Sequence, residues 1–134
     1  MRRLGLLAWL LPCWLSAATV VVHNDVAVEA LSQAQLRSIF TMRQIQWPDG
    51  SPVYVLVMPD DHPLHQQFSR EQLRLFPYQL TNIWDKLSFS GTGSQPRLVA
   101  DEAEMQQLLR TLPGSIGYLP QYQPDSGFKE VRIE

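Results

Sequence analysis

Short β-branched runs alternate along this chain with segments of helical periodicity, and that alternation constrains the fold more than any other feature. Residues 19–22 (Thr-Val-Val-Val) read as one buried strand and residues 53–57 as a second. Between them Ser32 opens a capping box with Gln35, and Leu36, Ile39 and Phe40 follow at helical spacing. Trp47-Pro48-Asp49-Gly50 is a turn, because Pro presets φ and Gly accepts a positive φ; Asp49 is a turn residue, and Trp47 and Trp84 belong in the core. Pro63 suits the first position of a helix predicted to run to about Phe76, with Leu64, Phe68 and Leu75 among its apolar positions. Pro77 starts another, whose Leu80, Ile83, Trp84 and Leu87 share one face.

Residues 88–96 read as a loop, with Gly91 and Gly93 as its flexible points. A short strand over 97–100 leads to a helix over 101–111. Asp101 is its N-cap, and Met105, Leu108 and Leu109 face inward. Pro113-Gly114 turns the chain into a strand at 116–119, and residues 128–133 add a terminal strand at the sheet edge. The order β-α-β-α-α-β-α-β-β predicts an α/β domain, a single three-layer-like lobe with a mixed sheet.

The first eighteen residues stand apart. Arg2 and Arg3 precede an apolar stretch from Leu4 to Leu15, and Ser16-Ala17-Ala18 supplies small residues for cleavage before Thr19, as in a secretory signal peptide. The stretch is too short to span a bilayer. Pro12 before Cys13 and the apolar residues after it argue against lipid attachment. Removing 18 of 134 residues leaves 116, one domain at 19–134, with no cysteine and hence no disulfide. Without Arg2 and Arg3 the count is nine basic against thirteen acidic residues, a net charge of −4. That balance lacks the basic face a nucleic-acid partner requires. A soluble periplasmic protein is expected.

Three places could bear chemistry. Ser90-Gly91-Thr92-Gly93-Ser94, with Arg97 nearby, suits a small anion nest, yet it precedes a Pro and a short strand instead of opening a helix; its plainer reading is a connecting loop. Asp60, Asp61, His62 and His65 cluster within six residues, and His62-x-x-His65 puts both rings on one side of a helix. A metal there lacks a distant fourth ligand, and Pro63 makes His62 a capping position, so a polar helix start is the favoured reading and no metal or cofactor is expected. His23-Asn24-Asp25 ends the first strand, where α/β sheets commonly place ligand contacts; loop capping explains Asn24 equally well. The chain has no Ser/His/Asp set, paired-acid motif, Walker loop or dinucleotide glycine motif, so no enzyme chemistry is indicated.

The motifs taken in order carry a resemblance. The helix Leu31-Ser32-x-x-Gln35-Leu36-Arg37-x-Ile39-Phe40 leads to Trp47-Pro48-Asp49-Gly50-Ser51. A strand, a polar turn and a helix with Phe68 follow, then Trp84, Phe89-Ser90-Gly91-x-Gly93 with Pro96, and Pro113-Gly114-x-Ile116-Gly117-Tyr118. Together they resemble the phosphate-type substrate-binding proteins of ABC transporters (type II periplasmic-binding-protein-like), in the region forming much of one lobe. The resemblance covers roughly residues 20–119, and the chain looks like a short, single-lobe relative. It implies a periplasmic α/β lobe that binds an oxyanion without catalysis.

In that family an Arg ends a strand and Ser-Gly-Thr opens the next helix, so that N–H groups, hydroxyls and the helix dipole meet the phosphate together. By position these sites fall near Met58 and near Asp61 to Leu64, with Asp61 and His62 as the candidate contacts. Met58 cannot pair with an anion, and Asp60 and Asp61 sit at the helix end that would attract one. Each unit repulsion costs on the order of 4 kcal/mol at about 4 Å and an effective dielectric of about 20. A micromolar affinity is worth only about 8 kcal/mol. The phosphate motif therefore reads as lost. The alternative is an envelope protein–protein interaction module built on a binding lobe, with Met58, Leu64 and Phe89 in an exposed patch covered by a second copy or another envelope protein.

Overall fold

The computed structural model describes residues 18–91, 93 and 95–134, so the expected leader, apart from Ala18, and the candidate Thr92 lie outside the described residues. Strand β1 (Thr19–His23) is followed by the two-residue β2 (Ala30–Leu31) and helix α1 (Gln33–Phe40). The Ser32–Gln35 capping box forms as expected, the Ser hydroxyl accepting from Gln35 N–H at 3.0 Å and the Gln carbonyl accepting from Ser32 N–H at 2.8 Å. Strand β3 (Tyr54–Val57) leads to helix α2 (Pro63–Phe68).

The winding of α2 widens into a π-helical turn over Ser69–Leu73 and stops at Arg74, which adopts the left-handed conformation at φ 61°. The continuous helix expected to Phe76 is cut short for a local reason. Ser69 is buried; its carbonyl accepts from Leu75 N–H at 3.0 Å, and its hydroxyl donates to the Leu75 carbonyl at 2.5 Å. Those two bonds close the turn, and Phe76, preceding Pro77, is held in extended backbone.

Helix α3 (Pro77–Ser90) runs three residues further than expected, because Gly91 supplies the left-handed cap at φ 70° that closes it. Then follow β4 (Arg97–Leu98), α4 (Glu102–Thr111) capped by Asp101, β5 (Ser115–Leu119), β6 (Phe128–Glu130) and β7 (Arg132–Ile133). The main sheet has the order β4-β3-β5-β1-β6. Strand β3 is parallel to β4 and β5, and β1 is antiparallel to β5 and β6. The mixed sheet and the edge position of residues 128–130 follow the sequence reading. The β2–β7 parallel pair is an addition to it.

Three layers result. Tyr118 of β5 points toward Phe40 of α1 and Phe68 of α2, stacking on Phe68 with ring centroids 4.2 Å apart. Its neighbour Gly117 faces α4, where Met105 packs so closely that a Cβ on Gly117 would lie 2.5 Å from the sulfur. Trp84 Nε1 donates to the Phe40 carbonyl at 2.9 Å and ties α3 to α1. Trp47, also buried, donates to the Gly114 carbonyl at 3.0 Å. Both tryptophans are core residues, as expected. Asp49 is the turn residue expected: it accepts from the Ser51 hydroxyl at 2.6 Å, and that bond, with a second from the Ser51 N–H, holds its carboxyl below the usual range.

Candidate functional site

The direction of β1 decides which loops can form one site. Val22 pairs with Ile116 and Val55 also pairs with Ile116, but β1 runs against β5 whereas β3 runs with it. The His23-Asn24-Asp25 loop therefore leaves the sheet where β3 begins, at the end opposite Met58. Its contacts agree: Asp25 Oδ1 accepts from Gly114 N–H at 3.3 Å and lies 2.8 Å from His23 Nδ1, which makes this loop self-capped. Antiparallel pairing thus sets the candidate Asn24 apart from the strand end that carries Met58.

The other candidates divide the same way. Arg97 opens β4 opposite Leu56 and lines a groove with Gln95, Pro52 and Tyr54 near the start of β3. Ser90 and Gly91 end α3, and the Ser90 hydroxyl donates to the Leu87 carbonyl at 3.1 Å. A helix C-terminus presents carbonyl oxygens and the negative pole of the dipole, the reverse of an anion nest. Asp61 and His62 lie across the sheet, after β3. Among the described residues, Asn24 and Arg97 thus stand apart from Asp61 and His62.

What the end of β3 does assemble is a polar network around His65 and Tyr118. Met58 N–H donates to the Tyr118 phenol oxygen at 2.8 Å, and that oxygen lies 2.6 Å from His65 Nδ1. With the phenol oxygen accepting from Met58, we assign its O–H to Nδ1, which leaves the imidazole proton on Nε2. Nε2 is buried without a hydrogen-bond partner, and Asp60 Oδ1 stands 3.7 Å from it. The other Asp60 oxygen accepts from the Thr81 hydroxyl at 3.0 Å, while Gln66 Nε2 donates to the Asp60 carbonyl at 3.2 Å. Burial pushes the His65 pKa down against the opposing pull of Asp60, and burial pushes the Tyr118 phenol up. Both rings are neutral at neutral pH.

The helix start is likewise occupied from within. His62 is the N-cap of α2, and its Nδ1 accepts from Leu64 N–H at 3.1 Å. On the neighbouring loop Asp101 accepts from Glu104 N–H at 3.0 Å, and the Glu104 carboxylate accepts from Ala100 N–H at 2.8 Å. The loops at this end of the parallel strands carry Asp60, Asp61, Asp101 and Glu102, and residues 58–62 and 99–102 contain no Lys or Arg. Among the described residues no group of three or more His, Cys, Asp and Glu side chains is arranged to hold a metal ion.

The expected apolar patch does not exist as drawn. Met58 is 1% exposed and Leu64 is buried, both within the hydrophobic core. Phe89 alone of the three is exposed, at 88%. Sequence reasoning missed Tyr118 and Thr81 because they come from 53 and 21 residues beyond their partners. The only signal was Tyr118 alternating with the small Gly117 in a strand.

No family model and no curated protein matches the sequence. Among solved structures the chain matches one from Clostridium perfringens, assigned as a phosphate ABC transporter substrate-binding protein and solved with bound phosphate, with TM-score 0.65 and 14% identity over 87% of this chain and 44% of that one. It matches an ABC-type phosphate transport receptor from Vibrio cholerae with TM-score 0.64 and 14% identity, over 87% and 46%. PstS from Borrelia burgdorferi matches with TM-score 0.62 and 10% identity, over 87% and 47%. The chain spans less than half the length of each. At such identities the likeness is one of fold, and the fold is that of a single lobe of these transporter binding proteins. No helix among the described residues is long and apolar enough to cross a membrane.

Proposed function

We propose that this chain is a non-catalytic, exported domain of the substrate-binding-protein type in which the anion position after β3 is filled by the protein's own side chains. The observation that carries this reading is the fate of the donors there: Met58 N–H is taken by Tyr118 and Leu64 N–H by His62. Pro63, between them, has no N–H to offer. Asp60 and Asp61 add negative charge where a phosphate would bring more. Titration calorimetry with inorganic phosphate tests it. No heat of binding up to millimolar phosphate is expected, and a micromolar or tighter Kd overturns the reading.

Export is the second half of the proposal. Mature protein from the periplasm begins at Thr19 or within a residue or two of it, and mass spectrometry that finds an intact Met1 or a lipid on Cys13 refutes this.

A second reading, an envelope protein–protein interaction module, draws on the exposed aromatic side chains. Phe76 and Tyr78 stack on each other in solvent with centroids 5.8 Å apart, and Phe89 stands free at the end of α3. Rings left in water in this way are enriched at contact sites. Light scattering on the wild type and on Phe89→Asp distinguishes association through Phe89 from a monomer.

A further inference from the structure

Away from the acidic loops the molecule gathers positive charge in one place. Arg37 on the outer face of α1, with Arg43 just beyond that helix, lines a cleft of about 370 Å³ together with Ser38, Thr41, Leu75 and Ile83. Leu75 is also part of an adjoining concavity of about 280 Å³, walled by Arg70, Arg74 and Phe76. The shared leucine makes the two concavities one groove, bounded by α1, the π-helical turn and α3.

The charge in this groove is conspicuous for what does not neutralise it. Four of the nine Lys and Arg residues beyond position 18 line it, in a stretch whose net charge is −4. All four are exposed, and the ion pairs among the described residues use none of them. Like charges held in one concavity raise its potential and favour an anionic occupant. The lining also holds the aliphatic side chains of Leu75 and Ile83, and Phe76, stacked on Tyr78, is exposed at its edge. An occupant that satisfies both needs carboxylates along its length and an apolar side chain between them. Concavity favours a chain segment over the plane of a membrane.

We propose that this groove docks an extended acidic segment of a partner protein, its carboxylates on Arg37, Arg43, Arg70 and Arg74 and a leucine-type anchor on Leu75 and Ile83. Arg suits this role because its fork pairs with carboxylates two bonds at a time. The inference rests on the interaction-module reading and names the partner's chemistry.

Fluorescence anisotropy of a labelled synthetic peptide of alternating glutamate and leucine, titrated with the exported protein, tests it. Binding is expected, weakening steeply with added salt, together with at least about a tenfold loss in Arg37→Glu/Arg74→Glu. Both side chains are exposed, so that variant keeps its circular dichroism and melting temperature. Equal binding by wild type and variant overturns the proposal, as does equal binding of a glutamine–leucine peptide. So does binding to phosphatidylglycerol vesicles without binding to the peptide, which makes the groove a membrane face. Association lost in Phe89→Asp but kept in the arginine variant refutes this groove while leaving the interaction-module reading in place.

Discussion

The phenol oxygen of Tyr118 sits 2.6 Å from His65 Nδ1, across 53 residues of sequence, while the same oxygen accepts from Met58 N–H. That one atom joins the last strand of the parallel set to the helix and the loop that follow β3. It satisfies two buried polar groups which water cannot reach.

Tyr118→Phe keeps the ring stacked on Phe68 but leaves Met58 N–H and His65 Nδ1 without their partner. Leaving buried polar groups unpaired costs about 1–3 kcal/mol, so urea unfolding is expected to show a loss of that order. A change of less than about 0.5 kcal/mol shows that the network contributes nothing to stability.

Stability is expected to fall with acid through His65. Its pKa in the folded protein is depressed below the ordinary 6.5, chiefly by burial. The unfolded chain therefore binds the proton more readily. The contribution is fully present above pH 6.5 and is lost as pH falls from there through the lower folded value. Melting temperatures from pH 8 to pH 5 check this, and His65→Gln is expected to flatten the slope in that window. An unchanged slope means that His65 is not the titrating group.

Gly117 has no room for a side chain. A Cβ there meets the Met105 sulfur at 2.5 Å and Leu56 Cβ at 3.6 Å, so Gly117→Ala forces α4 or its methionine outward. Overpacking of this kind costs about 1–3 kcal/mol. Chemical denaturation of Gly117→Ala, Met105→Ala and the double variant is expected to show strong coupling, the second change relieving part of the first. Strict additivity rules out the contact as the cause.

If the side chains after β3 are what keeps phosphate out, Asp61→Ser with His62→Gly is expected to raise phosphate affinity. It removes one carboxylate and frees Leu64 N–H from the imidazole. Recovery stays partial, because Met58 still supplies no guanidinium. Calorimetry that finds the double variant as inert as the wild type assigns the loss of binding to Met58 and Asp60.

Much of the fold was legible because its signals are local. Ser32 with Gln35, Asp101 as a cap and Asp49 in its turn act through bonds to residues two or three positions away, and Pro63 and Pro77 act at helix starts through their own fixed φ. Helical and β-branched periodicity then gave an α/β lobe with a mixed sheet. The π-helical turn escaped, since it depends on the burial of Ser69, which periodicity does not report.

The sequence by itself determined most of the helices and strands, which residues are apolar enough for the core, and that the loop after β3 carries the carboxylates of Asp60 and Asp61. Only the tertiary structure decided what stands beside what. Whether β1 pairs parallel or antiparallel to β5 is a matter of long-range backbone hydrogen bonds, and their antiparallel outcome sends Asn24 to the opposite end of the sheet from Asp61 and His62. The same packing buried Met58 and Leu64 and brought Tyr118 to His65. It also drew Arg37, Arg43, Arg70 and Arg74 around Leu75. Neighbours of that kind are set by how the layers close on one core, and a local pattern of residues does not contain that information.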